Sequence, residues 1–192
     1  HTPVHLGIPG RHNVMNALAA ATVAMRYGMA PETVARILAS QHTISPHRMA
    51  LSTVNREGTS FTLIDDSFNA NPDSMKAGLN GLKAWNSNDG KEPFRVALLG
   101  AMLELGADET ALHTSIGTYA DELGIDAIIA VGSAQDQHLD ALAQALADGA
   151  RQSQSASVDC VHDIDAAEQL VIDLARNHPD AVVLLKGSHA SG

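Results

Sequence analysis

The chain has 192 residues, of which 45% are apolar and 18% charged, so it holds enough apolar material for a packed core and is not the composition of a disordered protein. Its formal net charge of −10, without any dense cluster of Lys and Arg, excludes the basic surface that nucleic-acid-binding proteins need. The single cysteine, Cys160, rules out an internal disulfide, and no apolar run approaches the roughly 20 residues that cross a bilayer. These features predict a cytoplasmic protein without membrane insertion and without a nucleic-acid partner.

The first part of the chain is predicted to be mostly helical. A short strand over residues 4–8 precedes an alanine-rich helix that runs from residue 11 to Gly28, and a second helix follows over 31–41. Asn13 and Asn16 are three residues apart and share a face near the first helix start, where they either cap the helix or hold a polar ligand. Periodicity breaks around Pro46, which predicts one domain over residues 1–45 and a second over 46–192.

Strands and helices alternate in the second predicted domain. A hairpin over 51–54 and 61–64 opens it, and the later strands are predicted at 95–100, 126–132, 158–161 and 181–187. Helices are predicted at 72–85, 108–123, 135–147 and 163–177. Unbroken apolar strands separated by helices are typical of a parallel sheet that is covered on both faces, with the antiparallel hairpin at its edge. The predicted fold class is therefore α/β.

Polar residues follow these strands at the edge where their carboxyl ends meet, which is where open α/β sheets bind ligands. Asp66 and Asn71 follow the second hairpin strand, in a segment that is either an ordinary capped turn before a helix or part of a site. Lys186 ends a very apolar strand, where it either pairs with a phosphate or carboxylate or extends to solvent. The other candidates at this edge are Asp65, Asn69, Met102, Glu104, Gly106, Gly132, Ser133, Gly187 and Ser188.

Several common catalytic signatures do not occur in this sequence. It contains no Gly-x-Gly-x-x-Gly, no phosphate loop, no Gly-x-Ser-x-Gly elbow and no His-Glu-x-x-His pattern. The ten histidines show no metal-ligand spacing, so no protein-built metal site is predicted, and only His12 and His113 stand in contexts of interest. The residues by themselves predict an α/β domain with an anion-binding edge and no complete catalytic set.

A set of motifs, taken together and in order, resembles those of the Mur ligases, which are ATP-dependent amide ligases of peptidoglycan synthesis. The motifs are Gly-Arg-His-Asn-x-x-Asn-Ala-Leu-Ala-Ala (10–20), His-Arg (47–48), Asp-Asp-Ser-Phe-Asn-Ala-Asn-Pro-Asp-Ser-Met (65–75), Leu-Gly-Ala-Met-Leu-Glu-Leu-Gly (99–106) and Leu-Leu-Lys-Gly-Ser (184–188). The resemblance implies that residues 46–192 form the family's Rossmann-like C-terminal domain, with a mostly parallel sheet. It also implies that residues 1–45 are the helical tail of the family's central ATPase domain.

The family reaction activates a carboxylate with ATP as an acyl phosphate, which an amine then attacks. The last three motifs imply D-Ala-D-Ala and UDP-N-acetylmuramoyl-tripeptide as substrates, and the resemblance implies a monomer. Mg²⁺ would hold the ATP phosphates, with its ligands and the phosphate loop expected upstream of this chain. The alternatives are another ligase of the same fold, either a Mur ligase that adds another amino acid or a folylpolyglutamate synthase, and a nucleotide-binding module without catalysis.

The resemblance also assigns roles to individual residues. Asn16 would contact the adenine with support from His12 and Asn13, Arg48 would reach the nucleotide phosphates, and Asp66 would hold the ribose. The residues expected to carry catalysis are Arg48, Asp66 and Lys186. The residues expected to face the incoming dipeptide and the acyl phosphate are Ser67, Asn69, Asn71, Met102, Glu104 and Ser188.

Two features depart from the family pattern. His189 follows Lys-Gly-Ser where the family usually has Arg, and the sequence stops at Gly192 where a last helix would be expected. Because the chain opens at His1 without Met and lacks the phosphate loop, we expect it to be a fragment that folds but does not ligate by itself.

Overall fold

The computed structural model describes residues 3–6, 11–41, 47–86, 92–153 and 156–188. The contacts between residues divide the chain into two units, His1–Arg48 and Met49–Gly192. The predicted boundary between residues 45 and 46 falls in a segment outside the described residues. Among the helices that the structure describes, none has the length and apolar character needed to span a membrane.

The first unit contains the helices α1 (Arg11–Arg26) and α2 (Pro31–Ser40), as predicted. Gly28 follows the end of helix α1 by two residues; its φ of 90° suits glycine, and the N–H of Met29 donates to the Ala24 carbonyl at 3.0 Å to close the last turn. The predicted strand over 4–8 is wrong in its described part, because residues 3–6 carry no strand. A strand needs a hydrogen-bonded neighbour, and this unit offers none among the residues that the structure describes.

Helix α1 leaves an unusual amount of apolar surface uncovered within its unit. Leu18 and Val23 are each 57% exposed, and Tyr27, just after the helix, is 88% exposed. An open groove of about 720 Å³ lies among residues 4–6, α1 and α2, and its lining is mainly apolar. A self-contained surface helix normally buries its apolar residues along one stripe, whereas α1 leaves several of them exposed within its unit.

The second unit contains the remaining elements. Their types are those predicted, with ends that differ by a few residues, apart from a 3₁₀ turn that was not predicted. They are β1 (Ala50–Arg56), β2 (Thr59–Asp65), α3 (Pro72–Lys83), β3 (Arg95–Leu99), a 3₁₀ turn (Gly106–Asp108), α4 (Glu109–Glu122), β4 (Ala127–Val131), α5 (Gln137–Ala150), β5 (Ser157–Val161), α6 (Ile164–Asn177) and β6 (Val182–Lys186).

The described strands form one sheet in the order β1-β2-β6-β3-β4-β5. Strand β1 pairs antiparallel with β2 at the edge, and every other pairing is parallel, which confirms the predicted α/β class with an edge hairpin. The chain advances from β2 to β5 and then returns, so the last strand, β6, lies between β2 and β3. The helices α3, α4 and α5 cover one face and α6 covers the other, as right-handed crossovers require when the direction of travel reverses.

The apolar runs of the central strands are explained by burial on both faces. In β3, Ala97 and Leu99 pack toward α3, α4 and α5, whereas Val96 and Leu98 pack toward α6. Because successive side chains point to opposite faces, a strand covered on both sides is apolar along most of its length, and the buried charged residues of β3 and β6 stand at the strand ends.

A buried arginine fixes the end of α3 to the sheet. Arg95, which is 3% exposed, begins β3 and donates from Nη2 to the Trp85 carbonyl at 3.0 Å and from Nε to the Leu82 carbonyl at 3.3 Å. The Leu82 carbonyl lies in the last turn of α3 and also accepts the Trp85 N–H at 3.1 Å, whereas the Trp85 carbonyl lies just beyond the helix. The guanidinium donates to both carbonyls from the neighbouring strand.

Replacing Arg95 with methionine keeps the apolar stem of the side chain but removes these donors. We expect the free energy of unfolding to fall by roughly 1–3 kcal/mol, the cost of a buried acceptor left without a partner. Urea denaturation of the chain measures this change. Arg151→Met is the control, because Arg151 pairs with Asp148 at 3.2 Å on an exposed surface, and it should change stability little. Equal losses in both variants would contradict the role given to Arg95.

Candidate functional site at the carboxyl edge of the sheet

The strand order brings three predicted segments to one edge of the sheet. The N–H of Asp66 donates to the Leu185 carbonyl at 2.8 Å, which joins the end of β2 to β6. The N–H of Gly100 donates to the Lys186 carbonyl at 2.9 Å, and that of Ser188 donates to the Ala101 carbonyl at 3.0 Å. Residues 65–71, 99–106 and 186–188 are thus neighbours at the edge where ligands bind in this class of sheet.

A buried ion pair lies at the centre of this edge. Nζ of Lys186 is 2.5 Å from Oδ2 of Asp66, and the two side chains are 2% and 18% exposed. The other carboxylate oxygen, Oδ1, accepts the N–H of Met49 at 3.2 Å. Of the two sequence interpretations of Lys186, the structure supports pairing, with Asp66 as the carboxylate, and the side chain does not extend to solvent.

The Lys186 ammonium also fixes the backbone that follows β2. Besides the carboxylate, Nζ donates to the carbonyls of Asn69 at 3.3 Å and Asp66 at 3.4 Å. An ammonium has three N–H donors, and these acceptors match that number. Because a buried charge is costly unless it is paired and hydrogen-bonded, the loop that provides these acceptors is held in one conformation.

Helix α3 leaves room for the lysine at Gly78. A Cβ atom placed there would lie 2.9 Å from Cδ of Lys186, closer than side-chain carbons approach. The side chain thus crosses beneath the helix at a glycine to reach the carboxylate. Sequence reasoning missed Gly78, because a glycine inside a helix has no signal that names the side chain it accommodates.

The polar residues of the loop over 65–71 are partly engaged within the loop. Oδ1 of Asp65 accepts from the N–H of Ser67 at 3.1 Å and from its hydroxyl at 2.7 Å. Asn71 is the N-cap of α3, as predicted, with its side-chain oxygen accepting the Ser74 N–H at 2.8 Å and its own N–H donating to Oγ of Ser74 at 3.0 Å. The contacts of Ser67, Asn69 and Asn71 with a substrate stay predictions.

The loop after β3 divides its residues between the core and the surface. Met102 is fully buried, so as the chain is folded here its side chain presents no surface to a ligand. Glu104 is exposed and has a φ of 62°, a left-handed conformation that is strained for a residue with a side chain. Of the two residues that were predicted from this loop, only Glu104 displays its side chain at the edge.

His113 of α4 is fully buried and ties this loop to the helix. Its Nε2 lies 2.9 Å from the Met102 backbone nitrogen, and its Nδ1 lies 2.7 Å from the Glu109 carbonyl oxygen. The amide N–H can only donate and the carbonyl can only accept, so His113 is the neutral tautomer protonated on Nδ1. Burial lowers the pKa of His113 and outweighs the carbonyl bond and the charge of Glu109, which both favour the imidazolium.

The candidate residues of the first unit are described only in part. Asn13 is 7% exposed, and its Oδ1 accepts a hydrogen bond from Nδ2 of the exposed Asn16 at 3.4 Å. The Asn13 side chain therefore helps to orient the Asn16 amide. Arg48 is exposed and lies between His47 and Met49, which have φ values of 61° and 51°. The side chain of His12 lies outside the described residues, as does His189.

Metal-ligating residues do not gather in the parts of the chain that the structure describes, where no group of three or more His, Cys, Asp and Glu could hold an ion. Burial raises the pKa of the Cys160 thiol, which disfavours the reactive thiolate. Cys160 is half-buried in β5 and packs against the core on the side of α3, α4 and α5.

The family known as Mur ligase, glutamate ligase domain, matches residues 47–189. The chain belongs to the Mur ligase family. It is 39% identical over 195 residues to the UDP-N-acetylmuramoyl-tripeptide–D-alanyl-D-alanine ligase of Mycobacterium tuberculosis (strain CDC 1551 / Oshkosh), covering 98% of this chain and 38% of that protein. The chain thus spans well under half the length of this relative.

Solved structures of family members have the same fold. A crystal structure of MurF from Acinetobacter baumannii superposes with a TM-score of 0.77 at 28% identity, over 100% of this chain and 39% of that one. MurF from Thermotoga maritima in complex with ADP gives a TM-score of 0.63 at 22% identity, over 96% of this chain and 36% of that one. The second likeness concerns the fold alone.

The close fit between Lys186 and Gly78 generates a stability prediction. Gly78→Ala should lower the free energy of unfolding by about 1–3 kcal/mol, because the new methyl group displaces a lysine stem whose ammonium is fixed. Gly81→Ala is the matched control in the same helix, since the nearest atom to its Cβ is Cε of Met49 at 3.5 Å. It should be neutral or stabilising by up to ~1 kcal/mol. Chemical denaturation compares the two, and equal stabilities would contradict the packing described.

The neutral state of His113 predicts a pH dependence of stability. Below the ordinary histidine pKa of about 6.5 the unfolded chain takes up a proton that the folded chain resists, so the free energy of unfolding falls as the pH falls. For one histidine the slope is at most about 1.4 kcal/mol per pH unit. Nearby Glu109 opposes this effect and His138 adds to it. His113→Gln should lose less stability than the wild type between pH 7 and pH 5; parallel curves would contradict the assignment.

Proposed function

We propose that this chain is the closing part of an ATP-dependent ligase that joins D-Ala-D-Ala to UDP-N-acetylmuramoyl-tripeptide in peptidoglycan synthesis. The observation that carries the proposal is the meeting of the ends of β2, β6 and β3 at one edge, where the motif segments 65–71, 99–106 and 186–188 are neighbours. The name of the relative from M. tuberculosis supports this choice of substrates. The enzyme acts as a monomer in the cytoplasm, where ATP and UDP-linked precursors are found.

The nucleotide is bound by Asp66, Arg48 and Asn16 in this proposal. The Asp66 carboxylate is 18% exposed, and each of its oxygens has a second lone pair, so it can accept the paired hydroxyls of a ribose while it holds Lys186. The planar, permanently charged guanidinium of Arg48 suits phosphate. The Asn16 amide, supported by Asn13 and with His12 nearby in sequence, offers both a donor and an acceptor to adenine.

The acceptor side of the proposed site consists of the polar loop residues and the exposed Glu104. A carboxylate at the edge can bind the ammonium group of a dipeptide, and hydroxyl and amide groups can bind its peptide bond and the acyl phosphate. These hydroxyl and amide groups are those of Ser67, Asn69, Asn71 and Ser188. Met102 contributes to this side through its backbone and its packing. Lys186 acts through the carboxylate and the loop that it holds.

ATP supplies the phosphoryl group that turns the substrate carboxylate into an acyl phosphate. Mg²⁺ accompanies ATP in this proposal, and its ligands are placed outside the present chain. The residues described here bind and orient the nucleotide and the amine.

The first unit is proposed to be the tail of the central ATP-binding domain. The exposed apolar residues of α1 and the groove beside it support this, because the rest of such a domain would cover them.

A substrate panel on the full-length ligase tests the function. With ATP, Mg²⁺ and the tripeptide precursor, ADP release should depend on D-Ala-D-Ala and should not be supported by single amino acids or by glutamate with a folate. The 192-residue chain by itself should release no ADP. A preference for a single amino acid would contradict the proposed acceptor, and turnover by the short chain would contradict its proposed dependence on the missing part.

The ribose role of Asp66 needs a test that separates it from the ion pair. Asp66→Ala in the full-length ligase should weaken the use of ATP by about 1–3 kcal/mol, the scale of a hydrogen bond to a charged group. It also leaves Lys186 buried without its carboxylate, which destabilises the fold. The double variant Asp66→Ala/Lys186→Met removes both charges, so stability should recover while the KM for ATP stays raised. Wild-type ATP kinetics in the double variant would show that the carboxylate serves Lys186 alone.

A further inference from the structure

The loop between β3 and α4 is tied down at its beginning from two sides. On one side, the Ala101 carbonyl accepts the N–H of Ser188, which follows β6. On the other side, the Met102 N–H donates to Nε2 of His113, at 2.9 Å and fully out of contact with solvent. Two residues later the loop turns through Glu104 in the left-handed region, so the direction of that carboxylate depends on where Met102 is held.

The two hydrogen bonds of His113 are not equivalent. The Glu109 carbonyl lies in the first turn of α4, where the helix also offers the N–H four residues later as a donor. The Met102 N–H lies in a loop, and the imidazole is the partner that the structure gives it. Loss of the acceptor nitrogen would leave a buried amide N–H unsatisfied, whereas loss of the donor nitrogen would leave a carbonyl that the helix still satisfies.

We infer that His113 is a positioning residue of the acceptor site: its neutral, Nδ1-protonated imidazole fixes the Met102 amide and thereby aims Glu104 at the incoming amine. This inference rests on the proposed function. His113 touches no substrate itself, and it acts through one backbone hydrogen bond. The bond requires an acceptor at the position of Nε2, which only the neutral tautomer protonated on Nδ1 provides there.

Two substitutions of His113 distinguish the role of the Nε2 acceptor from that of the Nδ1 donor. In His113→Gln the side-chain oxygen reaches the position of Nε2 and still accepts the Met102 N–H. In His113→Asn the shorter amide keeps a donor for the Glu109 carbonyl but cannot reach Met102. Both are uncharged, both fit the space of an imidazole, and they therefore form a matched pair.

Steady-state kinetics of the full-length ligase give the first readout. We expect His113→Asn to raise the KM for D-Ala-D-Ala by about tenfold or more, with the KM for ATP changed less than about twofold, because the disturbed loop lies on the acceptor side. His113→Gln should stay within about threefold of the wild type for both substrates. A merely structural role would lower the activity of the two variants together and would not single out the acceptor. Equal effects on both substrates, or in both variants, would overturn the inference.

Nuclear magnetic resonance of the 192-residue chain gives a second readout that does not depend on activity. The His113 ring should carry its proton on Nδ1, and the Met102 amide should exchange slowly in the wild type and in His113→Gln. A proton on Nε2, or fast exchange at Met102 in the wild type, would overturn the inference even if both variants were inactive. An absence of D-Ala-D-Ala-dependent ADP release by the wild-type ligase would instead overturn the proposed function. The resonance measurement would still test the hydrogen bond between His113 and Met102 in that case.

Discussion

The ammonium of Lys186 is buried at the carboxyl edge of the sheet, and much of the candidate site surrounds it with acceptors. Its charge needs a carboxylate within contact distance and further acceptors around it, which Asp66 and the carbonyl of Asn69 provide. The partner can reach it only because β6 lies directly beside β2, and the stem can pass only because α3 carries Gly78. Strand order, helix packing and loop conformation are thereby linked through one charge.

Both loops of the edge follow the same principle. Lys186 donates a hydrogen bond to the backbone of the loop after β2, and His113 accepts one from the backbone of the loop after β3. In each case a buried polar side chain forms a hydrogen bond with the loop backbone, while other residues of the loop, such as Glu104, remain exposed to solvent. Such preorganisation fixes the backbone of a loop, so that its exposed side chains keep their direction although they are not packed themselves.

The sequence predicted the second unit well because its central strands β3, β4 and β6 are apolar on both faces over most of their length, and because its helices begin at recognisable residues such as Asn71. The sequence also assigned the candidate site residues to the correct edge of the sheet, since the carboxyl ends of all parallel strands lie there. The order of the strands could not be predicted from the sequence, because no local pattern indicates that β6 pairs with both β2 and β3. For Lys186 a phosphate, a carboxylate and solvent were all compatible with the pattern, and only the position of Asp66 decides among them. The predicted strand at 4–8 was wrong in residues 4–6, which have no strand partner among the described residues.

The position of β6 also has a consequence for how the molecule is made. Among the described strands, β6 in the middle of the sheet leaves the ribosome last, so β2 and β3 cannot be joined until residues 182–186 have arrived. That late segment also carries the lysine that organises the candidate site. Pairings between distant segments form slowly, and until this one forms the chain exposes two open strand edges. Completion of this sheet and organisation of the site are therefore the same event, and a chain whose sheet is incomplete lacks an ordered site.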